Sequence, residues 1–223
     1  FAQAEQMYRE ASRQAPGHAD VHHLLGMVLH QQNRNAEARV EIDAAIKALG
    51  HMPHYHNTLG EVRRAVGEVS EAIACYRRAL ELQPGYLQAL NNLGLALHVS
   101  GDLSAARDAF SQIVKAQPDS AQAHNNLGIA EQSLGNMQGA AREFRKACDL
   151  APQHAEGWNN LGAALQEFGD SKGAAEALLR AIEIAPHLSR AHFNLSRLRA
   201  VLDEVDAAEA SVRRAIEIEP SAA

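Results

Sequence analysis

Asparagine has the most distinctive placement of any polar residue in this sequence. Asn92, Asn126, Asn160 and Asn194 stand at intervals of 34 residues, and a flanking series, Asn57, Asn91, Asn125 and Asn159, keeps the same interval. Each carboxamide offers two N–H donors and one carbonyl acceptor. A column of them has the chemistry to hold the N–H and C=O groups of an extended polypeptide without reading its side chains. Asparagine is a mediocre helix former, so its repetition within helical segments has no propensity rationale. The competing use of the same amides is to bond neighbouring helices.

The other chemistry-bearing residues point away from catalysis. His22-His23 and His54-x-His56 are ligand-like pairs among twelve histidines, but they lack a partner Cys or carboxylate at useful helical spacing, so no metal site is expected. Cys75 and Cys148 are too few for a disulfide framework and fit no Cys-x-x-Cys motif. They are expected to be reduced, buried small residues, which leans towards a cytoplasmic location. The sequence has no nucleophile elbow, phosphate loop, Walker motif or paired carboxylates, so neither an enzyme activity nor a cofactor is expected within these residues. A formal net charge of −6 argues against nucleic acid as the partner, because phosphate binding needs a basic face. No apolar run is long enough to span a membrane.

The elements that position the asparagines repeat with the same beat. Leu-Gly pairs begin at Leu25, Leu59, Leu93, Leu127 and Leu161, and Leu195-Ser196 continues the 34-residue series. Pro16, Pro84, Pro118, Pro152, Pro186 and Pro220 follow it, with Gly50 at the one missing place. Two helices fit each unit. In 121–154 the first is expected over about 123–134 and the second over about 138–150, joined at Gly135-Asn136. A turn glycine recurs at Gly67, Gly101 and Gly169, where left-handed backbone is easy for glycine, and Asn33 and Asp203 take the other two turns. Alanine pairs such as Ala38/Ala45, Ala140/Ala147 and Ala174/Ala181 recur in the second helices, with Tyr76, Phe110, Phe144 or Leu178 as the large residue between such positions. Small residues allow close helix approach, and the large one fills the gap. His124, Leu127, Gly128 and Glu131 form an i, i+3, i+4, i+7 stripe directed inward. At about 100° per residue, the Asn before each Leu-Gly points away from that stripe.

Trp158-Asn159-Asn160-Leu161-Gly162, with Ala106 to Phe110, Ala140 to Phe144 and the closing prolines, resembles the tetratricopeptide-repeat family. The resemblance covers the whole chain. It implies an all-α fold, an α-solenoid of helix-turn-helix hairpins forming a right-handed superhelix with first helices on the concave side. The expected organisation is a single array. Residues 1–18 give the second helix of a partial repeat, and six repeats follow at 19–52, 53–86, 87–120, 121–154, 155–188 and 189–223. His22, His56, His124 and His192 occupy the place where the family often has Trp, which implies packing roles.

The asparagine column is similar to the asparagine ladder in the repeats of O-linked N-acetylglucosamine transferases, where such residues hold the substrate backbone. The likeness carries over to Asn92, Asn126, Asn160 and Asn194 and fails at Leu24 and Thr58. A chaperone-type carboxylate clamp is not expected, because the outward positions hold Asn57, Glu61, Gln88, Asn91, Gln122 and Asn125 rather than basic residues. Arg190 and Arg197, beside Asn194, would favour an acidic stretch of ligand.

The expected function is a protein-protein interaction module that binds an extended peptide in its concave groove. The alternatives are the non-catalytic substrate-recruiting arm of a larger enzyme, such as a protein glycosyltransferase, and a homo-oligomeric assembly module. The latter would self-associate through its convex face or through uncapped ends at Met7, Tyr8, Val212 and Ile216.

Overall fold

The computed structural model describes residues 2–219, and all regular secondary structure among them is helical. Pro220, the expected stop of the last helix, lies outside the described residues. The chain divides into two compact units, Phe1–Ala109 and Phe110–Ala223, and the division falls within a helix, α7 (Leu103–Ala116). The first unit contains α1 (Ala2–Gln14), α2 (Ala19–Gln31), α3 (Asn35–Ala48), α4 (Pro53–Ala65), α5 (Val69–Leu82) and α6 (Leu87–Ser100). The second contains α8 (Ala121–Ser133), α9 (Met137–Leu150), α10 (Ala155–Phe168), α11 (Ser171–Ile184), α12 (Ser189–Val201) and α13 (Val205–Ile218).

The turns inside the hairpins form where the sequence places them. Gly67, Gly101, Gly135 and Gly169 have φ between 80° and 94°, and Asn33 and Asp203 adopt 60° and 64°. Asparagine and aspartate are the non-glycine residues that best tolerate this region. α8 begins at Ala121, two residues before the expected start, because the Ser120 side chain accepts the Ala123 N–H and extends the helix. Asn136 and Asp170 cap α9 and α11 in the same way, accepting from Gly139 N and Gly173 N at 3.1 and 2.9 Å.

The hairpins close on one contact. A Cβ built on Gly26 would lie 2.5 Å from Ile42, on Gly60 2.5 Å from Tyr76, on Gly128 2.6 Å from Phe144, and on Gly162 2.6 Å from Leu178. These large side chains are fully buried. They fill space that exists because the first helix has no side chain there. At the corresponding place in α12 stands Ser196, whose Oγ donates to Phe193 O, and the facing residue shrinks to Val212. The alanine pairs of α3, α5, α9 and α11 are buried, whereas Ala208 of α13 is only half covered. Glu131, expected on the inward stripe of α8, is also half exposed and accepts a hydrogen bond from Asn136 Nδ2, while His124, Leu127 and Gly128 of that stripe are buried. Both cysteines are buried and free, as expected, and burial pushes the Cys148 thiol up to about 12.

The glycine contact has a sign that can be tested. Glycine to alanine in a helix interior normally stabilises by up to about 1 kcal/mol. Gly128→Ala should instead destabilise, by about 1–3 kcal/mol in urea unfolding, because the methyl group overpacks against the Phe144 ring. Truncation of that ring in Gly128→Ala/Phe144→Val should remove part of the penalty. An alanine variant as stable as the parent would show that the close approach is not a constraint.

Candidate functional site

Six of the eight candidate asparagines lie where successive first helices of one unit meet. In the first unit Asn92 Nδ2 of α6 donates to Asn57 Oδ1 of α4 at 3.0 Å. In the second unit Asn160 donates to Asn125 at 3.1 Å and Asn194 to Asn159 at 2.9 Å. The paired residues are 35 apart in every case, so each rung joins the residue before Leu-Gly to the one a step earlier on the preceding first helix. His23 and Thr58 form the same rung between α2 and α4, at 2.9 Å. Thr58 Oγ1 donates to His54 O, so it accepts from His23, and Nε2 is the protonated nitrogen.

The rungs sort the candidate residues by exposure. Asn57 and Asn159 are buried at 2% and 4% exposure. Asn92, Asn125, Asn160 and Asn194 are half-buried and reach solvent. Asn126 is buried, with its Oδ1 accepting from Gln122 Nε2 at 2.8 Å, and Asn91 is half-buried. Arg190 is engaged by Glu156 at 2.7 Å, whereas Arg197 is exposed on the same helix.

On α4 and α6 the rung is joined to a carboxylate. Glu61 Oε1 accepts from Asn57 Nδ2 at 3.0 Å, Asn92 Nδ2 at 2.9 Å and Gln88 Nε2 at 3.3 Å. The periodicity gave no sign of this cluster, because Glu61 is the one acidic residue in a series that otherwise reads Met27, Leu95, Ile129, Ala163 and Arg197.

The histidines at the family's Trp position do more than pack. His22, His56, His124 and His192 each place Nε2 2.9–3.0 Å from the carbonyl oxygen six residues earlier, at Pro16, Gly50, Pro118 and Pro186. Trp158 Nε1 donates to Pro152 O at 3.0 Å. Histidine therefore replaces tryptophan as a ring N–H donor that ties the interhelical loop to the next first helix. Its second nitrogen takes a partner when the facing residue is acidic. His22 Nδ1 is 2.6 Å from Glu41, and His124 Nδ1 is 2.8 Å from Glu143. Burial lowers the His22 pKa, but the bonds to Glu41 and the Pro16 carbonyl outweigh it, and the net shift is upward. The signal was present in the sequence as Glu 19 residues after His, a position that holds Ala177 in the Trp158 hairpin.

The chain belongs to the tetratricopeptide-repeat family. Models of that repeat match residues 1–61, 57–121, 99–155, 125–189 and 159–223. Tetratricopeptide repeat protein 17 of Danio rerio is 36% identical over 63 residues, 28% of this chain and 5% of that protein. The Homo sapiens protein is 35% identical over 66 residues, 30% of this chain and 6% of its own length. The match thus spans only a small part of those relatives. Among solved structures, MamA is similar with a TM-score of 0.67 and 25% identity, over 73% of this chain and 95% of that one. YrrB, described as a TPR protein with an unusual peptide-binding site, is similar with a TM-score of 0.66 and 22% identity, over 81% and 93%. No helix among the described residues is long and apolar enough to cross a membrane.

The His23 rung introduces a pH dependence. The ring is buried, with its centroid 5.0 Å from that of His54 and 4.7 Å from that of Tyr55. The Tyr55 hydroxyl donates to Asp20 Oδ1 at 2.5 Å. Burial, reinforced by His54 and opposed by Asp20, lowers the His23 pKa to about 4. The folded state therefore binds this proton less readily than the unfolded state, whose value is 6.5. The stability of the neutral ring is fully present above pH 6.5 and is lost as the pH falls towards 4. Between pH 7.5 and 5 the parent should lose about 2 kcal/mol more unfolding free energy than His23→Asn, which retains a donor for Thr58 without a titratable ring. Equal losses in urea titrations of the two proteins would remove His23 as the cause.

Proposed function

We propose that the chain is a protein–protein interaction module that holds an extended segment of a partner polypeptide against the first-helix face of its second unit. The observation that carries this reading is the state of Asn160 and Asn194. Each uses one Nδ2 hydrogen to bond the preceding helix, which fixes its amide plane while the side chain stays partly exposed. The second Nδ2 hydrogen and the carbonyl oxygen lie outside that bond. An amide held in this way loses little rotamer entropy when it bonds a ligand backbone. Asn125, half-buried, uses its Oδ1 in the rung and adds an Nδ2 whose two hydrogens lie outside that bond. The buried Asn159 acts as a positioning residue rather than a contact.

The charges refine the kind of segment. Glu156 neutralises Arg190, so a preference for acidic side chains centres on Arg197. YrrB, of the same fold, is a precedent for peptide binding at the level of fold alone.

Twelve-residue peptides selected from a random displayed library against the parent provide the test. The variant Asn160→Ala/Asn194→Ala should bind them about tenfold or more weakly, corresponding to about 1.4 kcal/mol or more. Circular dichroism should show unchanged helix content. Removal of Asn194 leaves the buried Asn159 oxygen unpaired, so Asn160→Ala alone, whose partner is half exposed, serves as the cleaner single variant. Selected peptides that bind parent and variants equally would assign the asparagines to helix packing only.

A further inference from the structure

We propose that the Glu61 carboxylate is a binding site for a cationic side chain, a lysine or arginine of the partner. The site lies entirely within the first unit, and its identification as part of a partner surface rests on the interaction-module reading above.

The geometry is that of a carboxylate held in place without being neutralised. Three amide groups from two helices, those of Asn57 on α4 and of Gln88 and Asn92 on α6, donate to the same oxygen, Oε1. Each is oriented by a further bond. Asn57 Oδ1 accepts from Asn92, which leaves Asn57 Nδ2 directed at Glu61. Gln88 Oε1 accepts from the Tyr86 hydroxyl at 3.4 Å, which turns Gln88 Nε2 towards Glu61. The bonds to Glu61 therefore all run in one direction, towards the anion.

Amide donors stabilise a carboxylate but do not cancel its charge. Glu61 forms no ion pair among the described residues, and its partners there are the three amides alone. With Oε1 filled by three donors, Oε2 carries the remaining acceptor capacity of a partly exposed side chain. A single available oxygen suits a lysine ammonium or one N–H of an arginine, rather than the two-pronged guanidinium pair that needs both oxygens. The equivalent positions on the neighbouring first helices are Met27, half-buried, and Leu95, 37% exposed. They offer apolar surface to the methylene stem of such a side chain. A glutamine at 61 could join α4 to α6 through the same amides. The negative charge strengthens those three bonds at Oε1, and at Oε2 it is what a cation would recognise.

N-acetyl-lysine methylamide and its uncharged norleucine analogue are the probes, titrated at millimolar concentration into the ¹⁵N-labelled chain. The lysine compound should shift the side-chain NH2 signals of Asn57, Gln88 and Asn92 saturably. The norleucine compound should not, and 0.5 M salt should weaken the effect by about severalfold. Glu61→Gln, which preserves an acceptor for the amides, should keep those signals dispersed and abolish the lysine response. No shift, equal shifts with norleucine, or an undiminished response in Glu61→Gln would each overturn the proposal. Its failure is distinguishable from failure of the peptide-face reading. If the selected peptides still depend on Asn160 and Asn194 while lysine leaves Asn57, Gln88 and Asn92 unmoved, only the cation site falls. If the lysine response is present but the peptides ignore the asparagines, only the backbone ladder falls.

Discussion

The contact between a first-helix glycine and a large second-helix side chain is the constraint on which four of the hairpins depend. Gly26 against Ile42, Gly60 against Tyr76, Gly128 against Phe144 and Gly162 against Leu178 bring the helix axes close enough for the alanines of the second helix to be buried. A chain with few aromatic residues can build a dry core this way, because Ala-rich helices bury area by proximity rather than by bulk. Where glycine gives way to Ser196, the residue at the facing position is only Val212, and the smaller partner offsets the added side chain.

Once a hairpin closes, its first helix must join the next first helix across a polar seam. The rungs Asn92–Asn57, Asn160–Asn125 and Asn194–Asn159 solve a burial problem. An amide placed between two helices needs a partner, and another amide one helix away supplies donor to acceptor. His23–Thr58 shows that the rung is a hydrogen-bond position rather than an asparagine position. The imidazole version carries a titratable group, and with it a dependence on pH that the amide rungs do not have.

The same seam underlies the binding role proposed for the first-helix face of the second unit. Fixing one end of the Asn160 and Asn194 amides in the scaffold preorganises the other end, and preorganisation rather than contact number sets how much affinity a polar surface provides. On α4 and α6 the amides converge on Glu61 and give the face a fixed negative charge. On α12, Arg197 stands exposed while Arg190 is neutralised by Glu156. The second unit thus carries the half-buried Asn160 and Asn194 beside the exposed Arg197, whereas in the first unit the amides of Asn57 and Asn92 are committed to each other and to Glu61.

The sequence by itself determined the helices, their turns and their pairing, because these depend on local properties repeated every 34 residues. Leu-Gly marks the close contact, proline ends the second helix, and glycine, Asn33 or Asp203 supplies left-handed backbone. It also marked the asparagines as out of place for reasons of propensity. Which partner each asparagine would choose was not legible, because a rung pairs positions 35 apart across a 34-residue repeat. That one-residue offset is set by how neighbouring first helices are staggered, and stagger is a property of packing. The same reason hid the Glu61 cluster and the buried state of Asn57 and Asn159, since three donors meet one oxygen only after α4 and α6 are side by side. Local chemistry recurs in the sequence and can be read there, whereas the convergence of groups from separate helices is decided by the tertiary structure that brings them within hydrogen-bond reach.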